Sequence, residues 1–287
     1  MNKKPSLPVS LLVPCKNEEA NIEQCLRSVD WIEDAYVVDS QSSDRTVEIA
    51  EGLGAQVIQF EYQGGWPKKK NWALENLPFE HEWVLILDAD ERLPPEAEDE
   101  VRKIVENPDE PNAGYWINRR YFFMGKPLRH AYFPNWNLRL FKHKLGRYEK
   151  ITQSETASGD HEIHEHVEVS GTTGKLKTIM DHHAFPTIES FVEKHNRYSN
   201  WEAVVENLSR DEPSHLQHKG VRGKRLLRRI FRRLPFRPAL RFLYVYLWQK
   251  GFLDGWPGYV FARLHGQYEF LSVVKAREYS RLGKKPR

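Results

Sequence analysis

An α/β fold, with a mostly parallel sheet sandwiched by helices and a C-terminal helical region after it, is what this sequence predicts, and three observations carry the expectation. Short apolar runs alternate with segments whose apolar residues recur at helical spacing through the first 90 or so residues. The run Trp83-Val84-Leu85-Ile86-Leu87 reads as a strand buried on both faces, and it delivers Asp88 and Asp90 where such a strand leaves the sheet. Residues 219–241 hold ten Lys and Arg and no acid, so the last third differs in kind from the first.

Each element follows in order. Residues 9–13 form a strand, 14–19 a turn, and 20–29 a helix with Ile22, Cys25, Leu26 and Val29 on one face. Residues 35–38 repeat the strand and end at Asp39; Ser43-Asp44-Arg45-Thr46 opens a second helix that Gly54 closes, and 55–60 is a third strand. A Gly-Gly-Trp-Pro turn leads to a helix near 68–75 and then to the Asp-x-Asp strand. Strands separated by single helices imply parallel pairing with right-handed crossovers. No Gly-x-Gly-x-x-Gly follows the first strand and no Walker Gly-Lys-Ser/Thr occurs, so dinucleotide and P-loop classes fall away.

Composition sets the outer bounds. With 287 residues, 40% hydrophobic and 29% charged, the chain suits one large α/β domain with an appendage and is too apolar for disorder. The formal charge of +3 says little by itself. Cys15 and Cys25 lack metal-ligand companions and suit reduced thiols in a cytosolic protein. The N-terminal apolar run is too short for a signal peptide, and no run approaches the ~20 apolar residues that span a bilayer.

Ligands of open α/β sheets bind beyond the carboxyl ends of the strands, so Asp88 and Asp90 are placed to hold a hard divalent cation against phosphates. The competing reading is an acidic turn before the helix that Pro94, Pro95 and Glu96 open. Residues 115–123 and 137–141 are β-prone. The segment His161-Glu162-Ile163-His164-Glu165-His166 contains no His-Glu-x-x-His, which leaves a zinc protease unsupported.

Four strings in order, Val-Pro-Cys-Lys-Asn-Glu-Glu-Ala-Asn-Ile, Val-Val-Asp-Ser-Gln-Ser-Ser-Asp-Arg-Thr, Lys-Asn-Trp-Ala-Leu and Leu-Asp-Ala-Asp-Glu, resemble the family-2 glycosyltransferases of GT-A fold. The resemblance covers residues 8 to about 170. Gly251-Phe252-Leu253-Asp254-Gly255 and its basic, aromatic surroundings resemble the tail of bacterial members that build lipopolysaccharide core or related surface glycans. The resemblance implies a catalytic domain over 1–185, with a nucleotide-sugar half to about 110 and an acceptor half over 111–185, and a C-terminal region over 186–287.

By that resemblance Pro14, Asn17, Glu18 and Asp39 face the nucleotide, with Asp39 accepting from the uracil N–H of a UDP-linked donor, as a carboxylate can. Lys70 and Asn71 lie near diphosphate and sugar. Asp88 and Asp90 hold Mn²⁺ or Mg²⁺, Asp90 as the direct ligand and Asp88 toward ribose or a bound water, with His164 as a further ligand. Glu165 is the base of an inverting transfer, with Asp160 in reserve. The residues also allow blander roles: Asn17 or Glu18 as an N-cap, Asp44 and Thr46 as cap and first turn, Lys68-Lys69-Lys70 as a solvated helix face with only one lysine inward, and the His161–His166 stretch as a solvated acidic strand.

Residues 191–208 form an amphipathic helix and 209–218 a polar hinge. Leu226, Leu227, Ile230, Phe231 and Leu234 share a face of the basic run, the pattern of a helix lying peripherally on an anionic membrane, with Phe236, Phe242, Tyr244, Tyr246 and Trp248 as interfacial anchors. Such a helix could also dock on the catalytic domain or on a second subunit of an oligomer. A nucleic-acid patch lacks an accompanying fold or stacking platform. The expected protein is a metal-dependent glycosyltransferase at the cytosolic face of the membrane, acting on a lipopolysaccharide-core or lipid-linked acceptor. A non-catalytic sugar-nucleotide or polyanion binder and a nucleotidyltransferase are the rivals, separated by release of nucleoside diphosphate, of nothing, or of pyrophosphate.

Overall fold

The computed structural model describes residues 6–64, 67–149, 166–211, 234 and 236–282. They fall into two compact units: one from residues up to 121, 134–149 and 166–184, the other from 122–133 and 185–282.

In the first unit, β1 (Val9–Cys15), β2 (Asp34–Asp39), β3 (Gln56–Gln59) and β4 (Trp83–Ile86) alternate with α1 (Ile22–Arg27), α2 (Thr46–Gly52) and α3 (Lys69–Asn76). The crossovers put β2 and β4 on either side of β1 and β3 beyond β2, all parallel. β5 (Glu91–Arg92), α4 (Glu96–Val105), β6 (Asn112–Phe123), β7 (Lys126–Pro127), β8 (Trp136–Lys142), β9 (Gly146–Tyr148), β10 (Val167–Val169) and β11 (Thr172–Phe185) follow. The sheet order is β3-β2-β1-β4-β8-β6-β11-β5, with β7 beside β6; β9 and β10 make a separate antiparallel pair. The β3-β2-β1-β4 half is parallel, whereas β8 joins β4, β6 joins β8, and β5 joins β11 antiparallel.

The strand pleat sorts the core into two layers. Leu11, Val13, Leu85 and Leu87 pack with Ile22 and Cys25 of α1, Ala50 of α2 and Val101 of α4. Leu12, Val84 and Ile86 pack on the opposite face with Ala73 and Leu74 of α3 and with Phe141. β4 is therefore covered on both sides, and its carboxyl end is where charge first becomes affordable.

The second unit is helical: α5 (Ile188–Asp211), α6 (Arg237–Leu243), a π turn (Tyr244–Trp248), a 3₁₀ turn (Gly251–Asp254) and α7 (Gly255–Leu282), with α7 packing on both α5 and α6. Phe123, Phe191 and Phe261 meet edge-on around the buried His195 and His265. Two basic residues expected on the membrane-facing surface lie elsewhere. Arg237 is buried and pairs with Glu206 at 3.0 Å and with Glu269, and Arg241 donates to Tyr132. A guanidinium with two carboxylates to satisfy it is stable in a core where a lone one is not. Residues 219–233, the rest of that run, lie outside the described residues. Among the described residues no helix is long and apolar enough to cross a membrane.

Candidate active site

The carboxyl ends of β1, β2 and β4 gather the polar residues. After β1 the chain turns at Asn17, which takes the left-handed conformation that Asn tolerates (φ 55°). The Asn17 N–H donates to Ser42 Oγ at 2.7 Å, and Asn17 Oδ1 accepts from the Ser43 N–H at 2.8 Å. The Glu18 N–H donates to Thr46 Oγ1, and the Glu18 carboxylate accepts from Asn21 Nδ2. Neither residue caps α1 with its side chain; instead they tie the loop after β1 to the loop after β2. Asp44 accepts from the Thr46 N–H and hydroxyl from one position before Arg45, the residue that holds the N-cap position of α2, so Asp44 is not itself the cap. Pro14 is buried inside β1. Asp39 is fully buried at the end of β2, accepting from the N–H and hydroxyl of Ser42.

Cys15 and Cys25 are free and buried. Burial, with Asp39 alongside the first and Glu91 near the second, pushes both thiols far up, so neither supplies a thiolate nucleophile.

The Lys68-Lys69-Lys70 run is not a solvated face. Lys69 is fully buried and donates to the Cys15 carbonyl at 2.8 Å, Lys68 lies over the Tyr62 ring, and Lys70 reaches Asp88 at 3.2 Å beside the Tyr148 ring. All three ammonium groups turn away from water, where one was expected. Asn71 is committed to structure: its amide donates to the Tyr148 carbonyl at 2.8 Å and accepts from the Tyr148 N–H at 2.9 Å, pinning β9 to α3.

Beyond β4, Asp88, Asp90 and Glu91 part ways. Glu91 is completely buried; it accepts from Arg139 of β8 at 2.6 Å, from Arg119 of β6 at 3.0 Å and from the Asp88 N–H at 3.0 Å. Asp88 accepts from Arg139 at 2.5 Å and faces Lys70. Burial alone would raise the Asp88 carboxyl, but Arg139, Lys70 and Arg119 together hold it well below the usual carboxylate range. Arg139 is correspondingly held charged: burial opposes its charge, and Asp88 and Glu91 outweigh that. Asp90 points elsewhere, with its Oδ1 3.1 Å from His182 Nε2, and its backbone carbonyl accepts from the His183 N–H.

Asp88 and Asp90 therefore do not form a matched pair of ligands. The structure sets Asp90 beside His182, a residue that none of the sequence motifs marks. A signal was there: Leu176, Thr178, Met180, His182 and Ala184 are the inward residues of β11 at strict period two, and an imidazole among them asks for a partner. Its other ring nitrogen, Nδ1, is buried without a hydrogen-bond partner among the described residues.

These two side chains fit a hard cation. Ligands at ~2.1 Å on adjacent corners of an octahedron stand about 3.0 Å apart, close to the separation found; the carboxylate suits Mn²⁺ or Mg²⁺, and a ring nitrogen beside it favours the transition ion Mn²⁺. Among the described residues no three His, Cys, Asp or Glu side chains converge on one point. Asp160, His164 and Glu165 lie outside the described residues.

The chain matches the model of "Glycosyl transferase family 2" over residues 10–163, more than half its length, and it belongs to that family. Its activity is glycosyl transfer. It is 27% identical to the lipopolysaccharide core biosynthesis glycosyltransferase LpsC of Rhizobium meliloti (strain 1021), over 98% of this chain and 96% of the relative. It is 30% identical to an uncharacterized glycosyltransferase of Rickettsia prowazekii (strain Madrid E), over 95% of this chain and 87% of the relative. The mannosyltransferase PcManGT of Pyrobaculum calidifontis, solved with GDP-Man and Mn²⁺, superposes with a TM-score of 0.50 at 16% identity, over 96% of this chain and 88% of that one, and shares its fold.

Proposed function

We propose that this protein is a divalent-cation-dependent, inverting glycosyltransferase that moves a sugar from a nucleotide donor, UDP-linked in our reading, to a lipopolysaccharide-core or lipid-linked glycan at the cytoplasmic face of the cell membrane. The observation that carries it is the Asp90–His182 pair at the carboxyl end of β4, beside Lys70, Arg119 and Arg139. The printed function of LpsC supports the acceptor class, and the Mn²⁺ and nucleotide-sugar bound to PcManGT support the donor and cation.

In this reading Asp90 and His182 would hold Mn²⁺ or Mg²⁺, which would supply Lewis-acid stabilisation of the leaving nucleoside diphosphate. Lys70, within reach of the same face as Asp88, draws the diphosphate in by charge, and Arg139 fixes Asp88 so that the turn carrying Asp90 keeps its shape. Pro14, Asn17 and Glu18 brace the wall against which the base would lie, and Asp39 becomes its acceptor once Ser42 lets go. Glu165 takes the proton of the acceptor hydroxyl as that oxygen attacks the anomeric carbon, with Asp160 in reserve.

A panel of UDP- and GDP-sugars with Mn²⁺ and lipopolysaccharide-core acceptor tests this by release of nucleoside diphosphate. Release with one donor, lost in chelator, is the expected result. No release from any donor, or release indifferent to chelator, overturns the proposal.

A further inference from the structure

The junction between α6 and α7 displays apolar side chains that a solvated surface does not call for. Trp248 is 79% exposed, Trp256 65%, Leu247 and Leu253 55% each, and Phe252 45%. Their exposed area is on the order of 600 Å², at the upper end of what a soluble monomer shows in one patch. Two of them are joined by rings: Tyr246 meets Phe252 and Tyr259, and Tyr259 stacks on Trp256.

This knuckle is held rigidly. The Asp254 carboxylate, its side chain only 2% exposed, accepts from the backbone N–H groups of Arg129, His130 and Ala131 and lies 3.1 Å from the His130 ring. Lys250 and Gly255 turn the chain through positive φ, and a β-carbon on Gly258 would run into the Gly251 carbonyl, so the turn and the start of α7 close on each other as only glycine allows. The Gly-Phe-Leu-Asp-Gly string is thus a mount: Gly251 and Asp254 face inward and Phe252 and Leu253 face out.

Charge decides what the knuckle meets. Residues 213–277 contain two acids, Asp254 and Glu269, and both side chains are withdrawn from water. Over those 65 positions the chain shows no exposed carboxylate, while residues 219–233 and Lys250 add nine cations, eight from the run and one from the knuckle itself. A protein partner would be met by a rim of both signs. Tryptophan, phenylalanine and leucine on a rigid turn, with lysine alongside and the one acid of the turn, Asp254, withdrawn from water, match the headgroup layer of an anionic bilayer.

We infer that residues 247–256 are an interfacial insertion element, which seats this unit in the outer few ångströms of an anionic lipid surface while the basic run supplies the long-range attraction. This deepens the proposed membrane-borne acceptor, but the physics of insertion does not depend on the transfer reaction.

The test uses the full chain with vesicles of zwitterionic phosphatidylcholine and anionic phosphatidylglycerol in a ratio of roughly three to one, some carrying lipid brominated high on the acyl chain. The wild type is expected to sediment with them, its tryptophan emission quenched by the bromolipid. Trp248→Ser/Trp256→Ser is expected to lose about tenfold in partitioning together with most of the quenching. Phe252→Ser/Leu253→Ser, which leaves every tryptophan in place, should lose partitioning similarly. Circular dichroism melts and nucleoside diphosphate release in detergent are read on the same samples, and both should match wild type. Wild-type protein that ignores the vesicles, or tryptophan variants that bind and quench as wild type does, overturns the inference. So does a wild-type dimer that the variants split, since a second copy would then be the occupant. Vesicle binding without any donor turnover leaves the insertion element standing and removes the transferase reading alone.

Discussion

Glu91→Gln is the substitution that weighs the buried charge cluster most directly. The carboxylate is wholly buried and accepts three hydrogen bonds, from Arg139, Arg119 and the Asp88 N–H. The amide keeps one acceptor oxygen and turns an NH₂ toward a guanidinium, and Asp88 becomes the nearest anion left for Arg139. Removing one partner of a buried ion pair costs about 3–5 kcal/mol, because the remaining charge stays in low dielectric uncompensated. At 2–4 °C per kcal/mol for a chain of this size, the unfolding midpoint should fall by roughly 6–20 °C. Lys70→Gln is the control: its ammonium meets Asp88 at 3.2 Å with more solvent around the pair, so the loss should stay near 1 kcal/mol. Scanning calorimetry at neutral pH on the three proteins reads both effects. A Glu91→Gln midpoint within about 2 °C of wild type would falsify the idea that the cluster is a buried, mutually dependent set.

Other consequences are open to measurement. Asp90→Ala and His182→Ala should each abolish donor turnover and weaken Mn²⁺ binding in the presence of UDP by calorimetry, while secondary structure is retained; tight Mn²⁺ binding in both variants would remove the pair as ligands. Glu165→Gln should keep nucleotide binding and lower transfer by ~10²-fold or more; normal transfer would move the base to Asp160. Gly258→Ala should destabilise the helical unit, because its β-carbon has no room against the Gly251 carbonyl; wild-type melting would contradict that packing. Burial, with Lys194 and Arg241 adding to it, pushes the His195 imidazole down to about 4 from an ordinary 6.5. Its stabilisation is therefore complete above pH 6.5 and is lost as pH falls toward 4, about 3 kcal/mol in all. Urea midpoints between pH 7.5 and 4.5 should show that loss in wild type and a shallower one in His195→Phe, and parallel curves would show that His195 does not titrate on unfolding.

How much of this was legible depended on whether the information was local. Strands β1 to β4 and helices α1 to α3 are readable because each closes its own period of apolar residues within ten or so positions. Cys25 and Ala50 land where helical spacing puts them. β11 was not read as a strand, although its inward set alternates cleanly, because its pairing with β5 joins positions about ninety residues apart. That register sets His182 opposite Glu91, one residue from Asp90, and the histidine has no meaning as a ligand until the register is known. Lys69 was misjudged for the opposite reason. A run of three lysines follows the composition of a solvated face, and only the position of the Cys15 carbonyl shows where its ammonium goes. Arg237 repeats the lesson: its place in a basic run suggests solvent, and its two carboxylates, Glu206 and Glu269, come from other helices.

The division between Asp88 and Asp90 follows from the charge around them. Lys70, Arg119 and Arg139 face Asp88 and Glu91, three cations against two anions, so the cluster carries an excess of one positive charge in a largely dry setting. That excess is why Asp88 is held so firmly ionised, and its charge is already met by Arg139 on one oxygen and Lys70 on the other. Asp90 sits outside those pairs, beside the His182 imidazole. Under the proposed function, a nucleoside diphosphate arriving with a divalent cation would bring anionic oxygens to the side where Lys70 stands and positive charge to the side where Asp90 and His182 meet. Two carboxylates two positions apart would then serve different ends, one fixing the turn through arginine and the other left for a cation, and the Asp-x-Asp spacing alone could not assign which was which.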